Sequence, residues 1–330
     1  MKKQDLHQQV YEKLKSMCVF GKRSKYKDKR NEGIKDKIYS YKTFTKYWEH
    51  TKIFIKYVKK NYGECDLEDA RQYVNEWLKH REETVKSSWT VHEDAKAVGK
   101  LFQISPNDED YYKPPLRNKD DITRSRKHDE NYAKRFNEEK YEELVHFCKH
   151  TGLRRRCLTK IENDCLYSAE DIEDEIKKHE ESPETKEAKK RLPALYNARL
   201  FKEKWFIEVK HAKGGKLRFS PILHDDIRVR EKIKNTYLGN KVWPSKQVKK
   251  NCDVHGYRRM YAQSLYKEYA RDVSTLPPYY YDENGKRHLS RYYKRGKDKG
   301  IAYDREMLVL VSIALGHGKD RATTVVDNYL

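Results

Sequence analysis

Residues 105–130 interrupt the sequence with a stretch that has almost no apolar periodicity. They contain Pro106, Pro114 and Pro115 among many charged residues, and proline ends regular structure because it lacks an N–H group and fixes φ. A chain of 330 residues also exceeds the usual size of one domain. We therefore predict two folded domains, at residues 36–105 and 136–330, joined by an interdomain linker at residues 106–135.

The segment before the linker predicts three short helices. In the first, from Tyr41, apolar residues recur at helical spacing; the second is expected to begin after Asp66 as its N-cap, and the third to run from about His92 to Phe102. Lysines lie between the apolar positions, which fits a small DNA-binding domain. A helical bundle with a basic surface of no special function gives the same pattern. Residues 1–35 are predicted to form a basic N-terminal arm, since residues 21–30 are rich in lysine and arginine.

The net charge narrows the class of partner. Lys+Arg 73 against Asp+Glu 52 gives +21, an excess that attracts polyanions without choosing between DNA, RNA and an anionic membrane. No apolar stretch approaches the roughly 18 residues that span a bilayer, and the first residues lack the apolar core of a secretory signal. No signature of an RNA-recognition module is present. We therefore expect a cytoplasmic protein with no membrane partner, and the charge alone does not decide between DNA and RNA.

The cysteines do not predict a metal site or a disulfide framework. All six are scattered without C-x-x-C spacing, so we expect reduced thiols. Cys252 and His255 have a separation typical of zinc ligands, but no second pair stands at the spacing of a zinc finger. No metal ligand is assigned from the sequence.

The second half of the chain predicts a mainly α fold with a small β component. A helix containing Leu144 runs into residues 151–154, and residues 167–199, with alternating charges, are expected to be a solvated helical insertion. Residues 205–209 and 216–222 flank Gly214-Gly215 as a β-hairpin. A second insertion is expected at residues 277–303, and residues 307–315 predict a buried helix.

Six residues after the linker form an ordered set of the types that DNA phosphodiester cleavage requires. Without a metal, cleavage needs a nucleophile, cations on the non-bridging oxygens, an acid for the leaving 5′ oxygen and a proton acceptor. The set supplies a candidate for each requirement, in the order Arg154, Lys213, His255, Arg258, His317 and Tyr329.

In this order the set resembles that of the tyrosine recombinases, the phage-integrase family, over roughly Glu143 to Leu330. The resemblance implies a helical core-binding domain and a mixed α/β catalytic domain that close around duplex DNA. It implies site-specific strand exchange through a 3′-phosphotyrosyl intermediate, for integration or excision of a mobile element such as a phage or a conjugative transposon. Bond energy is kept in the phosphotyrosine, so neither ATP nor a metal nor another cofactor is expected.

The resemblance selects the nucleophile and the phosphate clamp from many residues of the same types. Tyr329 is one of 26 tyrosines, and it is chosen by its position after residues 315–317. A phenol has a pKa of about 10, so a base or a cationic field must help it to lose its proton. Arg154 and Arg258 are assigned to the phosphate oxygens because guanidinium presents paired donors. Close competitors are Arg155, Arg156 and Arg259.

The acid and the proton acceptor are assigned less uniquely. Lys213 is the candidate general acid for the leaving oxygen, and Lys210 and Lys216 are its competitors. One of His255 and His317 is expected to accept the tyrosyl proton, while the other hydrogen-bonds a non-bridging oxygen.

The sequence departs from the family pattern at two places. Family members usually continue past the tyrosine into a segment that docks on a neighbouring protomer, whereas only Leu330 follows here. Coupling between protomers is therefore expected through residues 277–293 or the N-terminal arm. The family often has a carboxylate where Cys157 stands, so the sequence does not identify the group that orients Arg154.

The partners expected from the resemblance are double-stranded DNA, at the element ends and the target site, and three further copies of the chain in a tetramer on two DNA sites. An accessory DNA-bending protein and a nucleoid location in a bacterium, with a bacterial or phage gene, complete this expectation. Phosphate contacts outside the catalytic set are predicted for Lys22, Arg23, Lys25, Lys86, Lys96, Lys100, Lys119, Arg124 and Arg126.

Two other functions fit the same residues. An enzyme like the type IB topoisomerases would cleave in the same way and religate the original strand. A non-catalytic architectural DNA-binding protein of the same fold would retain the basic surface without using Tyr329.

Overall fold

The computed structural model of the protein describes residues 5–22, 28, 36–85, 87–104, 108–109, 111–116, 136–210, 217–282, 284–294, 299–318 and 321–330. These residues are mainly helical with small antiparallel sheets, which confirms the predicted fold class at this level. Within these ranges, no helix has the length and apolar character needed to cross a membrane. The chain divides into two compact units, Met1–His128 and Asp129–Leu330.

The first unit is built from helices. They are α1 (Leu6–Ser16), α2 (Tyr41–Tyr62), α3 (Leu67–Ala70), α4 (Val74–Thr84) and α5 (Ser88–Leu101), with a 3₁₀ turn at Arg71–Tyr73. The Ser40 side chain caps α2 by accepting a hydrogen bond from the backbone N–H of Thr43, as serine commonly does at this position. Asp66 is the N-cap of α3, as predicted, but the expected second helix is interrupted by the 3₁₀ turn.

Helix α1 corrects the prediction that residues 1–35 form a basic arm. Leu6, Val10 and Leu14 lie on one face of α1 and are fully buried in the core of the unit. This spacing of four residues is that of an amphipathic helix, and mostly polar residues stand between these positions in the sequence. Most of the basic run at residues 21–30 lies outside the described residues.

The first half of the second unit surrounds a three-stranded sheet. Its elements are α6 (Glu142–Thr151), α7 (Arg155–Leu158), β1 (Leu166–Ser168), α8 (Ala169–Glu180), α9 (Lys186–Ala198), β2 (Trp205–Val209), β3 (Arg218–Pro221) and α10 (Ile227–Lys234), with 3₁₀ turns at Asn163–Cys165 and Leu223–Asp225. The strands are antiparallel in the order β1-β2-β3. Strands β2 and β3 are those of the predicted hairpin, whose tip at residues 211–216 lies outside the described residues.

The two faces of the β2-β3 pair pack against two different hydrophobic cores. Ile207 and Val209 pack with α6, α7 and α10, whereas Phe206 and Phe219 pack with α8, α9 and the C-terminal helices. Ile207 and Val209 point to one side of β2 because side chains alternate along a strand. Phe206 points to the other side, which it shares with Phe219 because Phe219 is paired with Glu208. The sheet is therefore buried on both faces.

The predicted solvated insertion at residues 167–199 is instead part of the fold. Its first two residues belong to β1, and its helices α8 and α9 bury Ile172, Ile176 and Leu195 in the core. Most of the dense alternating charges lie on the outer faces of these helices and mask an apolar stripe on the inner face. Arg191 is an exception, because it is half-buried and pairs with the buried Glu208 of β2.

The second half of the unit carries the C-terminal helices. Its elements are α11 (Val254–Tyr269), β4 (Tyr279–Tyr281), β5 (Arg287–Leu289), β6 (Arg291–Tyr293), β7 (Ala302–Asp304), α12 (Arg305–Ala314) and α13 (Ala322–Asn328), with a 3₁₀ turn at Val273–Thr275. Strands β4 and β5 form a hairpin within the predicted second insertion, and β6 pairs with β7. Helix α12 is the predicted buried helix, and its C-terminal end meets β3 and α11 in the core.

Candidate active site

Arg154 is placed by the turn that ends α6. Gly152 follows the last residue of the helix with a φ of 57°, the left-handed conformation that favours glycine. A Cβ atom at this position would lie 2.2 Å from Cδ1 of Tyr261. Glycine is therefore required both by the backbone and by the close packing against Tyr261. The chain then turns so that Arg154 becomes the N-cap residue of α7.

Arg258 lies on α11 and holds three parts of the unit together. It is 1% exposed, and its two terminal nitrogens donate to the carbonyl oxygens of Gly152 and Leu315. Its Nε donates to the hydroxyl oxygen of Tyr329 over 3.2 Å. The ends of α6 and α12 and the residue that follows α13 thus meet at one guanidinium group.

Tyr329 points into the unit from the end of α13. Its side chain is 3% exposed, and its backbone N–H closes the helix by donating to Val325. Besides the contact with Arg258, its hydroxyl oxygen lies 3.1 Å from Nε2 of His317. The Arg258 guanidinium carbon also lies 5.6 Å from the centroid of the tyrosine ring. The hydroxyl is thus held by two groups of its own chain.

His317 follows a second left-handed glycine. Gly316 has a φ of 68°, and the backbone N–H of His317 donates to the carbonyl oxygen of Ser312 over 2.9 Å. The Nε2 atom of His317 lies 3.4 Å from a terminal nitrogen of Arg154. Since a guanidinium only donates hydrogen bonds, this contact assigns Nε2 as the acceptor and the ring proton to Nδ1. The hydroxyl of Tyr329 faces the same lone pair of Nε2, which the two donors share.

The imidazole of His317 is uncharged at neutral pH. Burial, followed by the positive charges of Arg258, Arg154 and Arg218, lowers its pKa to about 3, because both effects disfavour a second positive charge in the same place. A neutral imidazole with a free lone pair at Nε2 is the form that accepts a proton.

Arg218 completes the pocket, and the sequence did not identify it. It lies on β3, is 6% exposed, and donates from Nη1 to the carbonyl of Ala314 and, over 2.9 Å, to the hydroxyl of Ser220. Its Nε and Nη2 are buried without hydrogen-bond partners. The only signal in the sequence was a charged residue beside apolar residues in the predicted second strand of the hairpin.

The pocket therefore contains three arginines without a balancing acid. Among the described residues, no carboxylate pairs with Arg154, Arg218 or Arg258, and Nη1 of Arg154 is buried without a partner. Burial and the charge of Arg258 lower the pKa of Arg218. Buried charge of one sign is costly, whereas guanidinium groups bind phosphate oxygens strongly. The arrangement has the chemistry of an anion site next to a tyrosine hydroxyl.

Two further residues of the predicted catalytic set, His255 and Lys213, are not among the side chains that the structure places in contact with the Tyr329 hydroxyl. His255 is exposed, and its ring centroid is 6.0 Å from that of Tyr329. Lys213 and its competitor Lys216 lie outside the described residues. The third candidate, Lys210, is paired with the carboxylates of Asp164 at 2.8 Å and Glu208 at 3.4 Å, which leaves it poorly placed to act as a free acid.

The arginines that competed with the phosphate clamp have other surroundings. Arg155 donates to the backbone carbonyls of residues 248, 249, 250 and 252 and so fastens the loop before α11. Arg156 is exposed, and Arg259 has a buried Nε without a partner. Cys157 is buried. Arg154 is instead oriented by its contact with His317.

Few of the residues predicted to contact DNA backbone are described. Lys22 is exposed. Lys96 lies on α5 with its ammonium 2.8 Å from Glu93, and the ammonium of Lys100 donates to the carbonyl of Lys37 over 3.3 Å. The other predicted contacts lie outside the described residues: Arg23, Lys25, Lys86, Lys119, Arg124 and Arg126.

No protein family matches the chain, and neither curated proteins nor solved structures provide a match. Function must therefore be inferred from the residues of the pocket.

Proposed function

We propose that the protein is a site-specific DNA recombinase of the tyrosine type, which cuts and rejoins strands through a covalent phosphotyrosine. The observation that carries this proposal is the contact of the Tyr329 hydroxyl with both His317 and Arg258 inside a cationic pocket. A buried tyrosine used only for packing would not require three arginines without an acid around it. An anion that enters the pocket meets the hydroxyl and the cations together.

We infer the chemical step from the contacts of Tyr329 and from the general acid predicted by the sequence. The Tyr329 oxygen attacks the scissile phosphorus and its proton passes to Nε2 of His317. The bond from phosphorus to the 5′ oxygen breaks, and a lysine of the β2-β3 hairpin tip, with Lys213 as the candidate, protonates that oxygen. Arg154, Arg218 and Arg258 stabilise the charge that builds on the phosphorus centre. A 5′ hydroxyl from the partner duplex then attacks the phosphotyrosine and releases the enzyme.

The low pKa of His317 makes its basicity depend on DNA. Part of the lowering comes from three neighbouring arginines, and a phosphate bound between them supplies the opposite charge. The pKa of His317 then rises toward its ordinary value, because an adjacent anion favours the protonated form. The proton acceptor of Tyr329 therefore becomes a stronger base where a phosphate is in place.

The remaining parts of the proposal concern the assembly. The helical first unit would be the core-binding domain and the second unit the catalytic domain, closing together on duplex DNA. Four chains on two DNA sites, with an accessory DNA-bending protein, would exchange strands at the nucleoid of a bacterium for a phage or another mobile element. Because Tyr329 reaches the arginines of its own chain, each protomer would carry a complete nucleophile and clamp.

A covalent-trapping assay tests the proposal. Nicked duplexes tiled from the DNA that flanks the gene are incubated with the protein without added metal, and adducts are resolved on denaturing gels and mapped by peptide mass spectrometry. We expect an adduct on the peptide containing Tyr329 that Tyr329→Phe abolishes while DNA binding is retained. The matched variant Tyr303→Phe, a tyrosine outside the pocket in the same unit, should still form the adduct.

The same assay separates the alternatives. An adduct that only ever religates its original strand would identify a topoisomerase-like enzyme. Tight binding to these duplexes without any adduct, and with Tyr329→Phe fully functional in the cell, would refute catalysis and indicate an architectural DNA-binding protein.

A further inference from the structure

Three side chains with metal-binding atoms meet where α6 lies against the start of α10. His146 and His150 are one helical turn apart on α6, and Asp226 is the N-cap residue of α10. Their ligand atoms all lie within 4.8 Å of one another. The Nε2 atoms of His146 and His150 lie 2.9 Å and 3.8 Å from the same carboxylate oxygen, Oδ2 of Asp226. None of the three belongs to the pocket around Tyr329.

Hydrogen bonds around the cluster orient its ligand atoms. Nδ1 of His150 lies 2.9 Å from the carbonyl oxygen of His146, and a carbonyl can only accept, so this nitrogen carries the proton and Nε2 keeps its lone pair. Metal-binding histidines are commonly held in this way by a carbonyl behind the ring. The other oxygen of Asp226 accepts from the backbone N–H of Val229 over 2.9 Å, which turns Oδ2 toward the imidazoles.

The distances between the ligand atoms of the cluster agree with those around a small, tetrahedrally coordinated transition-metal ion. Ligands bound at about 2.0–2.1 Å in a tetrahedron lie about 3.3 Å apart, and the two distances to Oδ2, 2.9 Å and 3.8 Å, lie on either side of that value. The imidazole rings of His146 and His150 are stacked with centroids 4.0 Å apart. All three residues are half-buried, so an ion can enter and keep a water molecule as its fourth ligand.

We propose that His146, His150 and Asp226 bind a divalent transition-metal ion of the Zn²⁺ class. Two imidazoles and one carboxylate suit such an ion, whereas Mg²⁺ and Ca²⁺ prefer oxygen ligands. The ion would fasten α6 to the start of α10, and α6 leads through Gly152 to Arg154. Its role is structural, and the proposal does not depend on the recombinase function.

A simple histidine-aspartate hydrogen bond is the competing explanation. The chain contains a pair of this kind for comparison: His288 lies 2.9 Å from Asp282, the same separation as His146 from Asp226. No second histidine joins that pair among the described residues. His288 is therefore a matched control for the effect of losing one histidine from such a pair.

The test uses the untagged full-length protein, stripped of metal with a chelator that is then removed. Zn²⁺ binding is measured by calorimetry, the coordination by the visible spectrum with Co²⁺, and folding by circular dichroism. We expect one ion per chain, a tetrahedral Co²⁺ spectrum and a higher melting temperature with Zn²⁺. His150→Gln and Asp226→Asn should each weaken binding at least about tenfold, and His288→Gln should not.

Asp226→Asn keeps the proposal testable if the histidine variant is unstable, because asparagine is as good an N-cap as aspartate. Unchanged affinity in both ligand variants would overturn the proposal. So would a Co²⁺ spectrum with a strong thiolate charge-transfer band, which would assign the ion to cysteines. Normal metal binding together with no DNA adduct would refute the recombinase function and leave the metal site standing.

Discussion

Replacing Gly316 by alanine tests the packing that joins the turn before His317 to Arg218. The φ of Gly316 is 68°, and a Cβ atom there would lie 2.7 Å from Cδ and 2.9 Å from Nε of Arg218. A left-handed conformation costs a residue with a Cβ about 1–2 kcal/mol. Arg218 is held by Ala314 and Ser220, so overpacking should add about 1–3 kcal/mol. We expect a total loss of about 2–5 kcal/mol in the free energy of unfolding.

Two further variants separate the backbone cost from the contact. Gly318 lies in the same turn with a φ of 93°, and a Cβ atom there would meet nothing within 4 Å. Gly318→Ala should therefore show only the backbone cost of about 1–2 kcal/mol. Arg218→Ala removes the atoms that clash. In a double-mutant cycle, Gly316→Ala and Arg218→Ala together should cost about 1–3 kcal/mol less than the sum of the single variants.

The free energies are measured by urea unfolding, with hydrogen exchange of peptides from α12 and α13 to assign the change to the second unit. For a unit of this size, each kcal/mol corresponds to a change of about 2–4 °C in melting temperature. Equal losses for the two glycine variants, or additive effects of Gly316→Ala and Arg218→Ala, would show that Arg218 does not pack on this turn.

Four further outcomes are expected. Arg154→Ala should slow single-turnover cleavage about 10²–10³-fold and weaken DNA binding in gel shifts far less, because it is one phosphate contact among many; equal losses would deny it a role in the transition state. The pKa of His317 is about 3 in the folded chain against 6.5 ordinarily, so the unfolded chain binds more protons between these values. Stability should fall as the pH is lowered from about 7 toward 3, and in urea unfolding at several pH values His317→Gln should show a smaller fall. Leu14→Ala should destabilise the first unit by about 2–5 kcal/mol in urea, and a loss near zero would place α1 outside the core. Neutralising the lysines and arginines of residues 22–30 should reduce the slope of log Kd against the logarithm of the salt concentration. An unchanged slope would show that this segment does not contact DNA.

Elements with a single strong pattern could be predicted from the sequence. Helix α2, the helix before Gly152 and the strands β2 and β3 follow from apolar spacing and turn glycines, because these signals are local. Helix α1 was missed because the basic run that follows it dominates the first 35 residues. The prediction of a solvated insertion was wrong for α8 and α9 because their charges outnumber the few apolar residues that face the core.

The candidate site was predictable only where residue types stand in a distinctive order. The spacing of His255 from Arg258, and of Tyr329 from the turn at Gly316, carried the family resemblance that selected Arg258, His317 and Tyr329, and the structure brings these three side chains together. Arg218 has no such neighbour in sequence, and it enters the pocket only because β3 lies beside the end of α12. The cluster of His146 with Asp226 likewise joins residues far apart in the chain, so no local pattern signals it.

The bonds of Arg258 to Gly152 and Leu315 bear on how a chain of this fold could lose the proposed cleavage activity over time. Tyr329→Phe removes one hydroxyl and leaves the rest of the pocket assembled, whereas any substitution of Arg258 leaves two buried carbonyls without their donor. Descendants that abandon the proposed DNA cleavage should therefore lose the tyrosine early and keep the arginine. Among inactive copies, an arginine at this position would indicate only that the fold is retained, and the tyrosine would be the residue that indicates whether cleavage is retained.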